Sequence, residues 1–160
     1  MNAFTLFHVV LSLVGFGSGL VAAFGLILGK LLPGWTATFL STTLLTSLTG
    51  FLFPVHHFMP SHAVGILSLI VLAPAIYALY VRRLAGAWRS IYVINAVIAL
   101  YLNFFVLIAQ LFGKVPALKA LAPTQTEAPF KVAQLTALVA FLLLDILATR
   151  GFRNEQLRTA

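Results

Sequence analysis

The chain has 160 residues, of which 61% are hydrophobic and 8% charged, and it carries a net charge of +7 with no cysteine. A soluble domain holds about 25% charged residues, so this chain cannot cover a water-facing surface and its solvent is mostly lipid. Without cysteine there can be no disulfide, thiolate metal site or cysteine nucleophile. The basic residues cap apolar runs instead of lining a groove, which excludes nucleic acid as the partner.

The first apolar run, about residues 4–29, predicts a membrane helix. It has no basic n-region and exceeds the ~7–15 apolar residues of a signal-peptide core, so it reads as a retained helix. His8, Ser12, Gly15, Gly19 and Ala22 recur every three or four positions and share one stripe. Gly15 and Gly19 form a GxxxG pair that lets another backbone come close. Plain helix packing and room for a bound cofactor both fit that pair. After the break Lys30-Leu-Leu-Pro-Gly34, a second run at about 35–53 is rich in hydroxyls, among them Thr42, Thr43, Thr46, Ser47 and Thr49.

The segment Pro54 to Pro60 separates this run from a third at about 62–81, where Pro74 predicts a kink. Beyond Arg82-Arg83-Leu-Ala-Gly86, the fourth run, about 90–112, carries a stripe that includes Asn95, Asn103 and Gln110. Asn103 falls near mid-bilayer, where an amide facing lipid without a partner is costly. It is expected to hydrogen-bond to the threonines of the second run; a polar ligand pathway is the other reading. The loop at 113–130 holds three prolines with Lys114 and Lys119, and loops above about 12–15 residues are often functional. Its Val115, Leu118 and Leu121 predict a segment lying on the membrane, either a lid or an interfacial anchor. The fifth run, about 131–149, puts Gln134, Leu138, Phe141 and Asp145 on one face. Asp145 is the only acid inside a run and therefore a functional candidate. An ion pair with Arg82, Arg83 or Arg150 is the structural alternative.

The expected architecture is an all-α integral membrane bundle of five transmembrane helices in a single domain. Seven of the ten basic residues (Lys30, Arg82, Arg83, Arg89, Arg150, Arg153 and Arg158) then share one side, against Lys114, Lys119 and Lys131 on the other. The positive-inside rule places the N-terminus outside and the C-terminus inside.

This threading gathers all four histidines at the outer end, although they are distant in sequence. His8 begins the first helix, His56 and His57 follow the second, and His62 opens the third. Four readings fit. A haem b needs imidazoles on two helices and small residues beside the ring, which His8, His62, Gly15 and Gly19 could supply. A copper-like ion suits the imidazole and thioether set His56, His57, Met59 and His62. Acid–base or quinone-type chemistry would use His8 or His62 with Gln110, Gln134 and Glu127. Histidines also sit at membrane interfaces with no task. The favoured expectation is a haem- or metal-binding redox component. The alternatives are an assembly subunit that packs on a membrane-protein partner or a second copy through the GxxxG face, and a small-solute carrier using the polar seam of the fourth helix. In every case the constant partner is the lipid bilayer.

Two blocks, Phe53 to Ser68 (FPVHHFMPSHAVGILS) and Tyr101 to Phe130 (YLNFFVLIAQLFGKVPALKALAPTQTEAPF), resemble those of small uncharacterised bacterial polytopic inner-membrane proteins. The resemblance implies a multi-pass protein of the bacterial inner membrane and no particular chemistry. The size and five spans are also similar to the tryptophan-rich sensory proteins. With only Trp35 and Trp88, however, the chain lacks their tryptophan pattern.

Overall fold

The computed structural model describes residues 3–53 and 60–159, with side chains over 3–53 and 62–153. Among the described residues there are six α-helices and no strand: α1 (Ala3–Ile27), α2 (Pro33–Gly50), α3 (Pro60–Ile76), α4 (Trp88–Lys114), α5 (Pro116–Leu121) and α6 (Ala128–Thr159). His56, His57 and Met59, expected as metal ligands, lie outside the described residues.

Local chemistry sets the helix ends. Gly29 takes φ 73°. The amide of Lys30 donates to the carbonyl of Gly25 at 2.8 Å and that of Gly29 to Leu26 at 3.0 Å, the two-bond Schellman closure that a glycine permits. Pro33 then starts α2, where its missing N–H is no loss. Helix α3 runs through Pro74 and widens into a π-helical turn, Tyr77–Val81, before the chain reverses. In that reversal Arg83 and Leu84 adopt φ 47° and 57°. The buried Leu84 side chain and its amide bond to Ala78 (2.9 Å) hold this left-handed backbone in place.

The helices close a ring in the order α1, α2, α3, α4, α6, and α4 also reaches across to α1 and α2. Small residues line the contacts, among them Ala22, Ala75, Ala78, Ala99 and Ala148; they allow close approach where the hydrophobic effect gives little preference between protein and lipid. Among the described residues, four helical segments are long and apolar enough to cross a membrane: Ala3–Ile27, His62–Val81, Trp88–Lys114 and Ala128–Arg153. This makes the chain a membrane-type helical bundle.

Helix α2 is not among those four, because its hydroxyls lower its apolarity. Most of them are nonetheless satisfied within the helix, while the buried Thr46 hydroxyl has no hydrogen-bond partner among the described residues. Thr38 donates to Gly34, Ser41 to Ala37, Thr42 to Thr38, Ser47 to Thr43 and Thr49 to Leu45, each through a backbone carbonyl one turn back.

Three expected boundaries shift. The expected loop 113–130 shrinks: α4 runs to Lys114, α5 occupies part of the gap, and α6 opens at Ala128. Helix α6 also continues past residue 149 to Thr159, because arginine, glutamine and leucine after Gly151 favour helix as well as the apolar run does. The second helix begins at Pro33 and ends at Gly50, where Phe51 and Leu52 close it with amide bonds to Leu48 and Thr49.

The two ends of the bundle differ. At the arginine end α6 presses on α1: a Cβ on Gly151 would meet the Ile27 carbonyl, and α4 adds the Arg89 guanidinium, which donates to the Phe152 carbonyl at 3.0 Å. At the histidine end α6 leans on α4 instead. Gln134 Nε2 donates to the Phe105 carbonyl at 3.1 Å, and Phe141 packs on Tyr101 and Phe104.

Candidate functional site: a cavity at the histidine end

The start of α1, the end of α2, the start of α3 and the end of α4 meet at one end of the bundle, as antiparallel neighbours must. They enclose a cavity of about 550 Å³, and both His8 and His62 line it. Its wall is mostly apolar, with Leu13, Phe16, Leu102 and Val106, and Ser47, Ser68 and Asn103 add polar groups at depth. Others cluster toward the mouth: Thr5, Gln110 and Lys114 beside the two imidazoles. No acidic residue is in the lining. The floor closes where Phe16 stacks on Phe104 at 5.2 Å. Beyond it, around Gly19, Tyr92 and Leu100, there is room of only about 10 Å³.

The His8 ring is fixed by its partners. Its Nδ1 lies 3.0 Å from Thr49 Oγ1, and Phe53 meets the ring edge-on at 5.0 Å. The single Thr49 hydroxyl proton is already donated to the Leu45 carbonyl at 2.7 Å. With its proton on that carbonyl the hydroxyl accepts from Nδ1–H, and in that tautomer Nε2 of a neutral ring keeps its lone pair. An imidazole of that tautomer accepts a hydrogen bond or ligates a metal through Nε2. His62, across the cavity on α3, stacks on Phe51 with ring centroids 5.7 Å apart.

The remaining sequence-selected residues separate. Gly15 and Gly19 are buried against α2 and α4 and do not border the cavity. A Cβ on Gly15 would lie 3.0 Å from Thr42 Oγ1, and one on Gly19 would lie 2.7 Å from Phe39 Cδ2 and 2.6 Å from Leu100 Cδ1. The pair is used for packing inside the chain, so it neither makes room for a ring nor presents a face to a partner. Asn103 lines the cavity and donates to Thr43 Oγ1 at 2.9 Å, the bond to the second helix expected from its depth. Asn95 turns back on its own helix, donating to the Ile91 carbonyl at 2.8 Å, so the polar stripe of α4 is not a continuous seam. Gln110 is an exposed part of the rim. Gln134 is buried away from the cavity, and its Oε1 has no hydrogen-bond partner. The side-chain partner of Asp145 is Thr149, at 3.4 Å, and not an arginine; Arg82 lies over the Trp88 ring at 5.2 Å. Among the described residues no group of three or more His, Cys, Asp or Glu could hold a metal ion.

Removing the Asn103–Thr43 bond tests how much it ties α4 to α2. In a double-mutant cycle of Asn103→Leu and Thr43→Val, the coupling should be about 0.6–1.7 kcal/mol, the range for interhelical hydrogen bonds in membranes. Thermal melts in detergent measure it, and additive single effects would show that the pair is not coupled.

Past Val115, which borders the cavity, the segment after α4 turns away from it. Leu118 and Ala122 pack with Ile108, Phe112 and Ala137, on the α4–α6 side, and Gln125 Nε2 donates to the Ala109 carbonyl at 2.8 Å. Its end is pinned by Glu127, whose carboxylate accepts from Thr124 Oγ1 at 2.8 Å and from the Thr126 amide at 3.0 Å. Slight desolvation pushes that carboxyl up, but hydrogen bonds from Thr124, Thr126 and its own backbone outweigh it and hold the group below its ordinary range. A lowered folded-state value means the cap contributes fully above the ordinary carboxylate range and is lost as pH falls through the lowered value. Protection of the amides of residues 124–131, expressed relative to the intrinsic exchange rate at each pH, should therefore fall in acid. In Glu127→Gln it should be low at neutral pH and lose this dependence, and an unchanged acid profile in that variant would refute the assignment.

Comparisons with family models, with curated proteins and with solved structures found no match to this chain.

Proposed function

We propose that the protein is a five-span membrane protein that binds a small amphipathic molecule in the cavity at its histidine end. The observation that carries this reading is the cavity itself: about 550 Å³, with a mostly apolar wall, a few polar groups, and imidazoles from two helices. That volume falls within the ~300–1,000 Å³ of small-molecule sites, which share this apolar body with a few converging polar groups. Five crossings are supported by α2, five of whose hydroxyls bond back within the helix and whose 18 residues, at about 1.5 Å each, nearly match a bilayer core. With the arginine-rich end inside, the N-terminus and the cavity face outward. Residence in a bacterial inner membrane is the accompanying proposal.

A haem b or copper-like redox centre is the second reading, favoured by the free Nε2 lone pair of His8 and by His62 on the facing helix. One preparation separates the two. Protein purified in mild detergent is expected to be colourless and to release a stoichiometric apolar compound on solvent extraction, detected by mass spectrometry and diminished in Asn103→Leu. A Soret band that disappears in His8→Ala and His62→Ala would establish the haem instead. Protein that carries nothing, with a melting temperature indifferent to added amphipaths, would end both readings.

A further inference from the structure

The cavity has a side opening as well as a mouth. Leu13 on α1 and Leu111 on α4 both belong to its wall, yet they are 51% and 42% exposed. On helices that face each other across the cavity, such exposure fits a wall that is open between them. The breach follows from the way α6 is placed. At the arginine end α6 fills the space beside α1, with Gly151 against Ile27. Toward the histidine end it follows α4, through Gln134 to Phe105 and Phe141 to Tyr101 and Phe104, and contributes no residue to the cavity. The face of α1 that carries Ile27 at one end therefore carries Val9 and Leu13 at the other, with no helix in front of it. The Phe16–Phe104 stack forms the sill of this window.

We infer that a lipid with an acidic headgroup, phosphate or carboxylate, enters this cavity sideways from the surrounding leaflet, with its head against Lys114 and its tail leaving between α1 and α4. The inference rests on the binding reading above and adds the ligand class and route. Charge selects the head. Among the described lining residues Lys114 is the only lysine or arginine, with no carboxylate beside it, and Gln110, one turn back on α4, and the Thr5 hydroxyl at the start of α1 offer further hydrogen-bonding groups at the mouth. The mostly apolar wall and the lipid-facing window select the tail. A water-soluble anion would satisfy Lys114 and leave Leu13, Phe16 and Val106 without a partner.

The test uses full-length protein in phosphatidylcholine nanodiscs with a photoreactive fatty acid carrying a mid-chain diazirine, and mass spectrometry to locate the adducts. Labelling is expected on Val9, Leu13, Val106 and Leu111 above the level on Leu6 and Val139. It should fall about tenfold in Lys114→Gln, the loss of one charge-assisted contact, and similarly in Leu13→Trp and Leu111→Trp, which fill the window. Competition by phosphatidic acid but not by inorganic phosphate would identify the source of the headgroup as lipid; competition by phosphate alone would overturn the inference. Adducts spread evenly over the outward faces, meaning annular lipid only, would overturn it too. Cavity adducts that survive both tryptophan variants would overturn the lateral route. In either of those cases the extraction assay still decides whether the cavity binds anything, so the two proposals fail separately. Unchanged labelling of Leu6 and Val139 in each variant shows that it is folded.

Discussion

Gly151→Ala is expected to destabilise the protein by about 1–3 kcal/mol, the usual cost of overpacking, while Gly17→Ala leaves it unchanged or stabilises it by up to about 1 kcal/mol. The contrast lies in what each new methyl group would meet. At Gly151 it meets main chain: the Ile27 carbonyl, with the Leu26 oxygen 3.0 Å away. Backbone inside a helix cannot rotate aside, so α6 would have to back away from α1 and break the junction that closes the arginine end. At Gly17 nothing lies within 4 Å. Gly19 should fall between them, since its nearest neighbours are the flexible tips of Leu100 and Phe39. Thermal melts of the three alanine variants in one detergent give the ranking. If Gly151→Ala melts with Gly17→Ala, the helices are not in the contact described.

Arg89→Ala should cost about 2–4 kcal/mol at the same junction. The side chain donates from Nη1 to the carbonyl of the buried Phe152 at 3.0 Å, and its Cζ lies 4.5 Å from the centre of that ring. A hydrogen bond to a charged group contributes roughly 1.5–3 kcal/mol and the cation–π contact about 0.5–1 kcal/mol or more. Arg89→Lys keeps the charge and loses the planar fork, so it should recover only part of the loss. Besides the melt, trypsin cleavage at Arg150 and Arg153 should become faster as the end of α6 loosens. A melt within about 0.5 kcal/mol of the parent, the size of an ordinary surface change, would show that the contact contributes little.

Composition and turn residues made the helices legible. Gly29, Pro33 and the Arg82–Gly86 break mark ends that the structure places within a few residues of the expected limits. Depth was legible too: an amide at Asn103 needed a partner, and Thr43 supplies it. Which neighbour each face would meet was not readable. The spacing of Gly15 and Gly19 announces a close helix without saying whether it is α2 or another chain, and the answer depends on how α2 folds back. Asn95 occupies the same stripe as Asn103, yet it bonds to its own helix, because a helical carbonyl one turn back is always within reach. That His8 and His62 share one end of the bundle followed from antiparallel threading alone. The cavity between them did not, since it depends on how α1 to α4 stand apart above the Phe16–Phe104 stack.

The back-bonded hydroxyls of α2 bear on the order of biogenesis. Because Thr38, Ser41, Thr42, Ser47 and Thr49 each close on a carbonyl of their own segment, their polarity is masked before any neighbour arrives. On the proposed five-span reading, the segment can therefore be handed to the bilayer alone and join its companions afterwards, so insertion and association are separable steps.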